Sequence, residues 1–345
     1  MRKQTLSGIL GVLAALMIGG LVLALQGFNP FSTYGALLQY SLFSASGLSA
    51  MLSRAVPLVL TGLSASIAFG SGLNNLGQPG QLVIGALSAT LVGLFVPLPP
   101  LVLIPMCIAA SMAGGLLWSG LAAVLRRAFA MDEFIVTLML NFIADYFTLW
   151  AITYPLFDPT ALSPMTRPVS THAWLSEVAG INASVLYMVA ATVLCWLLMS
   201  KGVSGYEWRM MGQNRLFARI GGCRVDAHYV RVMLVTGALA GLAGGLMVMG
   251  GPHRFVKGLG ANYAWDGVMI AVVANNSIPG TFFYGLLFSM LQQGAIGMEL
   301  VTAVPSEFID VLQAIIVLVV VAGRVSLNLV FDHIATRKKL RESLQ

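Results

Sequence analysis

Residues 55–97 read AVPLVLTGLSASIAFGSGLNNLGQPGQLVIGALSATLVGLFVP, with no Asp, Glu, Lys or Arg. Two apolar runs, about 55–73 and 81–97, flank the polar break Asn74-Asn75-Leu76-Gly77-Gln78-Pro79-Gly80-Gln81. A membrane-spanning helix takes roughly 20 apolar residues. The stretch therefore reads as two spans separated by an interruption, and the rest of the chain repeats the pattern. Only 9% of the 345 residues are charged and 58% are hydrophobic. A soluble domain carries roughly 25% charged residues, so a soluble globule is excluded. Disorder and a disulfide scaffold are excluded with it. The expected class is an all-α, polytopic integral membrane protein, with residues 1–345 forming a single transmembrane domain.

Working outward, the apolar runs predict about ten spans. They lie near 6–26, 55–73, 81–97, 101–125, 132–155, 183–200, 230–250, 261–275 (short and interrupted), 280–298 and 307–323. A semi-polar stretch at 33–53 reads as an interfacial helix. The first run is long enough to span, and no clear A-x-A cleavage site follows it, so it reads as an uncleaved helix. Ten crossings put both termini on one side. Of the 19 Lys and Arg, only Arg54, Arg167, Arg254 and Lys257 then fall outside. The other 15 (19 − 4), including Arg2, Lys3, Arg126, Arg127 and the 324–345 tail, fall inside. That asymmetry places both termini in the cytoplasm. The net charge of +6 is thus a topology signal. No run alternates basic residues with exposed aromatics, so nucleic acid is not an expected partner.

The second interruption is Asn275-Asn276-Ser277-Ile278-Pro279-Gly280. Each break continues as Pro-Gly, four residues, Gly: Pro79-Gly80 to Gly85, and Pro279-Gly280 to Gly285. Matched breaks in two halves point to a repeat architecture around a pathway. Two tight turns explain the same residues. Inside the apolar runs, Thr137, Asn141 and Asp145 follow i, i+4, i+8 spacing and so share a helix face. Asp266 lies in the interrupted segment. Candidate path residues are Thr137, Asn141, Asp145, Asn75, Gln78, Gln81 and Asp266; interhelical hydrogen bonds that fix packing are the competing reading for the amides. Gly237, Gly241 and Gly245 form a small-residue stripe suited to close helix approach.

The polar segment of about 201–228 carries GYEWRMMGQNRLFARIGG at 205–222. Tyr206, Met210, Leu216, Phe217 and Ile220 offer apolar anchors among basic residues. Gly205, Gly212, Gly221 and Gly222 bracket short helices. A helix docking in a partner's groove and a helix lying on anionic lipid both fit. The chain has no G-x-x-x-x-G-K-[ST], H-E-x-x-H or G-x-S-x-G motif. His172, His228, His253 and His333 are scattered, and Cys107, Cys195 and Cys223 read as free thiols. No catalytic, cofactor or metal site is expected.

Four blocks resemble the membrane permease of binding-protein-dependent ABC importers, in the branch serving ribose, branched-chain amino acids and nucleosides. They are Asn75–Gln81 with Ile84-Gly85-Ala86; Asp132–Ala144; Gly205–Gly222 running into Gly237–Gly244; and Trp265-Asp266-Gly267. The Thr137-Leu138-Met139-Leu140-Asn141 block and the long N-terminal part look most like the nucleoside-uptake branch. Two departures are Pro79, where the family usually has an acidic residue, and Ala274 before Asn275, where it usually has glycine. The resemblance implies a multi-pass bacterial inner-membrane subunit that pairs with a second, same or similar, permease. Two cytoplasmic ATPase subunits, carrying the ATP and Mg, would grip a coupling loop of Gly205, Glu207, Arg209, Gly212, Asn214, Arg215, Phe217, Ala218, Arg219 and Gly221. An extracytoplasmic solute-binding protein would deliver a small polar solute, a nucleoside first, a sugar or amino acid otherwise. The alternatives are an ion-coupled secondary transporter, using Asp145 or Asp266, and a polytopic membrane enzyme.

Overall fold

The computed structural model describes residues 2–178 and 180–323, and the basic tail at 324–345 lies outside them. The described residues form two compact units, 2–48 with 290–323, and 49–178 with 180–289. The helices are α1 (Arg2–Leu25), α2 (Pro30–Ser41), α3 (Ala45–Gly70), α4 (Gln78–Phe95), α5 (Pro100–Phe129), α6 (Glu133–Thr153), α7 (Ser184–Lys201), α8 (Val203–Gln213), α9 (Arg215–Ile220), α10 (Val225–Gly250), α11 (Ala261–Val273) and α12 (Ile278–Thr302). A last apolar helix, α13, covers Phe308–Gly323. Seven of them, α1, α3, α4, α5, α6, α7 and α10, are long and apolar enough to cross a membrane. The protein is an all-helical polytopic membrane protein; among the described residues the paired strands are a short antiparallel hairpin, Glu177 with Asn182 and Val178 with Ile181.

The stretch expected as one interfacial helix at 33–53 is divided. Its first part belongs to α2, whose start is set by Asn29: Oδ1 accepts from Phe31 N at 3.0 Å, and Pro30 occupies the first helical position. Its second part opens α3, which begins at Ala45 instead of about 55. The polar look of 44–53 misleads because Ser44 and Ser53 hydrogen-bond to backbone carbonyls one turn back, at Tyr40 and Ser49, and so fit within helical structure. In the first unit α1 packs on α13 where Gly11 meets Val320 and Gly19 meets Leu312. Tyr34 donates from α2 to Leu16 O at 2.9 Å.

The second unit is built around α4, α5 and α10. Gly237, Gly241, Gly244 and Gly245 all lie at contacts too close for a side chain. Gly241 faces Ser111 O and the Gly115 backbone; Gly244 faces Leu82 O. Ser119 bonds across this seam to Met233 O at 2.5 Å. Small residues let the backbones approach, and dispersion then holds the helices without a hydrophobic drive from lipid. The glycine stripe is a packing seam.

Beyond the C-terminus of α10, residues 157–183 form a strap over the helix ends. Thr166 N donates to Phe255 O (3.0 Å), Val169 N to His253 O (2.8 Å) and Leu175 N to Met249 O (3.0 Å). Trp174 stacks on His253 with centroids 4.0 Å apart. Burial pushes the His253 imidazole below its ordinary pKa, which favours the neutral form of the stacked ring. The Asp158 carboxyl is held below the usual range by hydrogen bonds from the Thr160 hydroxyl and amide, with Arg254 at 3.8 Å.

Candidate translocation and coupling site

At the opposite end of α10, the Asn74–Gly77 break is gripped from three sides. Asn75 sits at its centre and is fully buried. Its Oδ1 accepts from Gly77 N (2.9 Å) and Gln81 Nε2 (3.1 Å), and its Nδ2 donates to Thr236 Oγ1 on α10 at 3.1 Å. Gln78 Nε2 donates to Asn75 O at 3.0 Å. From α6, Asn141 accepts from Gly80 N (2.9 Å) and donates to Leu76 O (2.8 Å). Thr137 Oγ1 lies 3.3 Å from Leu76 N, and Glu133 Oε1 accepts from Asn74 N at 2.9 Å. A helix interruption leaves backbone groups that must be paired inside a membrane. Here the side chains of one neighbouring helix, spaced four residues apart, pair them.

The structure thus brings Thr137, Asn141, Asn75, Gln78 and Gln81 together, buried, as a clasp on the backbone. Asp145 is not in it. Four residues advance a helix by 400°, a drift of about 40°, so Asp145 stands about 80° round from Thr137. It is exposed and lines a separate cavity of about 310 Å³. Asp266 is half-buried on α11, next to Gly267, which packs on Thr61 and Gly62 of α3.

Below the clasp, Glu133 is ion-paired with Arg126, whose guanidinium lies 4.5 Å over the Tyr229 ring. These residues line a cavity of about 760 Å³ with Asn74, Arg215 and Asp226. Arg215 donates to Gly72 O at 2.7 Å. Gly72, at φ +72°, faces the Cα of Gly212, and Gly212 faces the backbone of Gly70–Gly72. The α8–α9 segment is therefore seated on the end of α3, two residues before the clasped break.

Gly205 and Gly212 do not bracket α8 as the sequence suggested. Both lie inside it, because each is a contact point where a Cβ would strike backbone, at Leu198 and Gly70 respectively. Asn214 separates α8 from α9 and caps α9 by accepting from Phe217 N at 2.9 Å. Ala218 is buried, whereas Leu216, Phe217 and Ile220 are 68%, 62% and 78% exposed. Arg219 is exposed and Gly221 follows the helix. Glu207 lies 3.2 Å from His228 Nε2, and Trp208 donates to His228 Nδ1 at 3.2 Å. Arg209 bonds to Met199 O.

Residues 47–321 match the family described as branched-chain amino acid transport system / permease component. The chain belongs to this permease family. It is 32% identical over 342 residues to the glucose ABC transporter permease protein of Haloferax volcanii, covering 94% of this chain and 90% of the relative. It is 28% identical to the guanosine ABC transporter permease protein of Bacillus subtilis (91% and 92% covered). It is 29% identical to the nucleoside ABC transporter permease protein of Lactococcus lactis (91% and 90%). The permease is thus the membrane component of an ABC-type importer for a small polar solute, a system that also comprises ATPase and solute-binding components. It is a transport subunit, and among the described residues no three His, Cys, Asp or Glu side chains group as a metal would need.

Sequence reasoning missed Glu133, Arg126 and Gly72. Glu133 was visible as the i−4 position of the Thr137–Asn141 stripe. Gly72 carried no pattern, since its contacts, Gly212 and Arg215, are distant in sequence.

Proposed function

We propose that the permease imports a nucleoside, with partner ATPases gripping α9 on the cytoplasmic side and a second permease, same or similar, as its pair. The observation that carries the coupling is the seat of α8–α9 on α3. The exposed trio of Leu216, Phe217 and Ile220 is one short helix away from Gly212 and Arg215, which touch Gly70–Gly72. Movement of α9 by a partner would pull on the residues that lead into the break at Asn74. Such a handle suits a switch driven from outside the chain, where two packings are exchanged by a partner's work. An ion-coupled carrier needs no exposed handle.

The ten-span reading adds α11, α12 and α13 to the seven helices that are long and apolar enough to cross a membrane. It places Arg215 and the α1 N-terminus in the cytoplasm and the Trp174 strap outside, where a binding protein arrives, in an inner-membrane setting. The nucleoside assignment is supported by the guanosine and nucleoside permeases among the relatives, against one glucose permease. The test is uptake into proteoliposomes. With ATPase and binding protein present, ATP-dependent accumulation of labelled guanosine is expected, and Phe217→Ala should lower ATPase co-purification without lowering membrane insertion. Accumulation by the permease alone under an ion gradient overturns the reading.

A further inference from the structure

The cavity beside Asp145 is enclosed by α4, α6 and the loop from α10 to α11. Its wall includes Phe142, Asp145, Tyr146, Phe255, Lys257 and Gly258. Two features set it apart from a crevice filled by lipid tails. First, it holds a carboxylate and an ammonium group, and among the described residues neither the Asp145 nor the Lys257 side chain has a hydrogen-bond or ion-pair partner. Asp145 lies twelve residues into α6, roughly 18 Å along a helix that rises 1.5 Å per residue. An open charge at that depth faces water or a polar ligand. Second, three of its lining side chains are aromatic, set among the aliphatic Val83, Leu149, Ile152 and Leu259: Phe255 is buried, while Phe142 and Tyr146 stand 58% and 72% exposed. Gly258, at φ +78°, has nothing within 4 Å of where a Cβ would point, so a ligand can approach bare backbone there.

We infer that this cavity is a solute subsite of the permease, selective for an aromatic heterocycle bearing hydroxyl groups. The rings would stack on the base, Asp145 would accept from a hydroxyl or ring N–H, and Lys257 would donate to a carbonyl or hydroxyl oxygen. Its volume of about 310 Å³ sits at the small end of small-molecule sites, roughly 300–1,000 Å³. A hexose offers hydroxyls but no flat π-face. The inference rests on the nucleoside reading above and deepens it, by naming the place where the base is read. A phospholipid with an amine headgroup is the competing occupant.

The test uses the permease with its partner subunits in proteoliposomes. Asp145→Asn and Lys257→Gln should each raise the KM for guanosine uptake about ten-fold, the loss of one charge-assisted hydrogen bond. Co-purification with the ATPase reports assembly of each variant. Independently of any variant, irradiated 8-azidoguanosine should label wild-type protein within 142–149, and excess guanosine but not glucose should suppress the label. Wild-type protein that accumulates no guanosine overturns the nucleoside reading. Wild-type accumulation, with both variants at wild-type KM and the label elsewhere, overturns the subsite alone. A KM shift that vanishes in vesicles lacking phosphatidylethanolamine assigns the cavity to lipid and likewise overturns it.

Discussion

The two helix breaks carry the same Pro-Gly-x4-Gly sequence and are held in opposite ways. The first, at Asn74–Gly77, is paired by other helices: α6 supplies Glu133, Thr137 and Asn141, and α10 supplies Thr236. The second is paired by its own backbone. Asn275 N donates to Val272 O at 3.0 Å and Asn276 N to Ala271 O at 2.9 Å, with both residues in the left-handed region at φ +53° and +58°. That is the chemistry of an ordinary helix ending. The glycines that follow differ too. Gly85 meets the backbone of Gly241, whereas Gly285 meets the side chain of Val59. A break held from outside transmits any movement of its holders. A break paired by its own backbone depends less on its neighbours. On the coupling proposed above, the first is the one through which α9 would act on the permease, while the second touches α3 through the 2.6 Å Ser66–Thr281 hydroxyl contact.

The largest test of this contrast is Asn141→Ala. It orphans Gly80 N, which is buried, and Leu76 O, which is half-buried, together. Loss of about 2–3 kcal/mol is expected, read as the drop in thermal unfolding of the detergent-solubilised protein. Thr137→Val removes the longer contact to Leu76 N and the hydroxyl's own bond to Glu133 O, a carbonyl that keeps its helical partner, and should cost about 1 kcal/mol. Equal losses at the two positions would break the picture of a clasp centred on Asn141.

Gly72→Ala should follow in size. The φ of +72° strains any L side chain, and the new methyl would lie 2.9 Å from the Gly212 Cα. A cost of about 1–2 kcal/mol is expected. More telling is function: ATP-dependent uptake should fall several-fold more than ATPase co-purification, because α9 stays exposed while its seat on α3 is spoiled. Equal falls in both would place Gly72 in assembly rather than coupling.

How much of this was legible follows the range of the interactions. The membrane helices and the glycine seam were plain, because hydropathy and i, i+4 spacing are local. The clasp was half legible. Thr137 and Asn141 were seen on one face, and Asn75 was seen in a break, but nothing in one sequence says that they meet across about 65 residues. Asp145 was grouped with them because the spacing of four is nearly, but not fully, a turn. The drift that carries it to a different cavity is geometric and was calculable. Lys257 was counted only as an outside charge, since its place beside Asp145 depends on the strap, where Lys257 N bonds to Pro164 O at 3.2 Å. The boundary of α3 was misplaced because serines satisfied within a helix look the same in sequence as serines facing water.

The smallest effect lies at the second break, and its sign is informative. Asn276 is in the left-handed region, and its Oδ1 is buried without a hydrogen-bond partner. Replacement by glycine keeps the backbone conformation at no steric cost and removes the unpaired oxygen. Against that stands the larger backbone entropy that glycine loses on folding, roughly 0.5–1 kcal/mol. The two nearly cancel, so Asn276→Gly should shift stability by no more than a few tenths of a kcal/mol. Asn276→Ala also removes the oxygen but adds left-handed strain of about 1–2 kcal/mol, so it should be clearly worse than glycine, by about 1 kcal/mol. The same pair of unfolding curves separates the two kinds of break. At a self-held joint the order is set by backbone conformation, glycine above alanine. At a clasped position such as Asn141 the bonds to other helices dominate, and glycine should be no better than alanine. If Asn276→Gly proves as damaging as Asn141→Ala, the second break is also gripped by neighbours, and the asymmetry between the halves disappears.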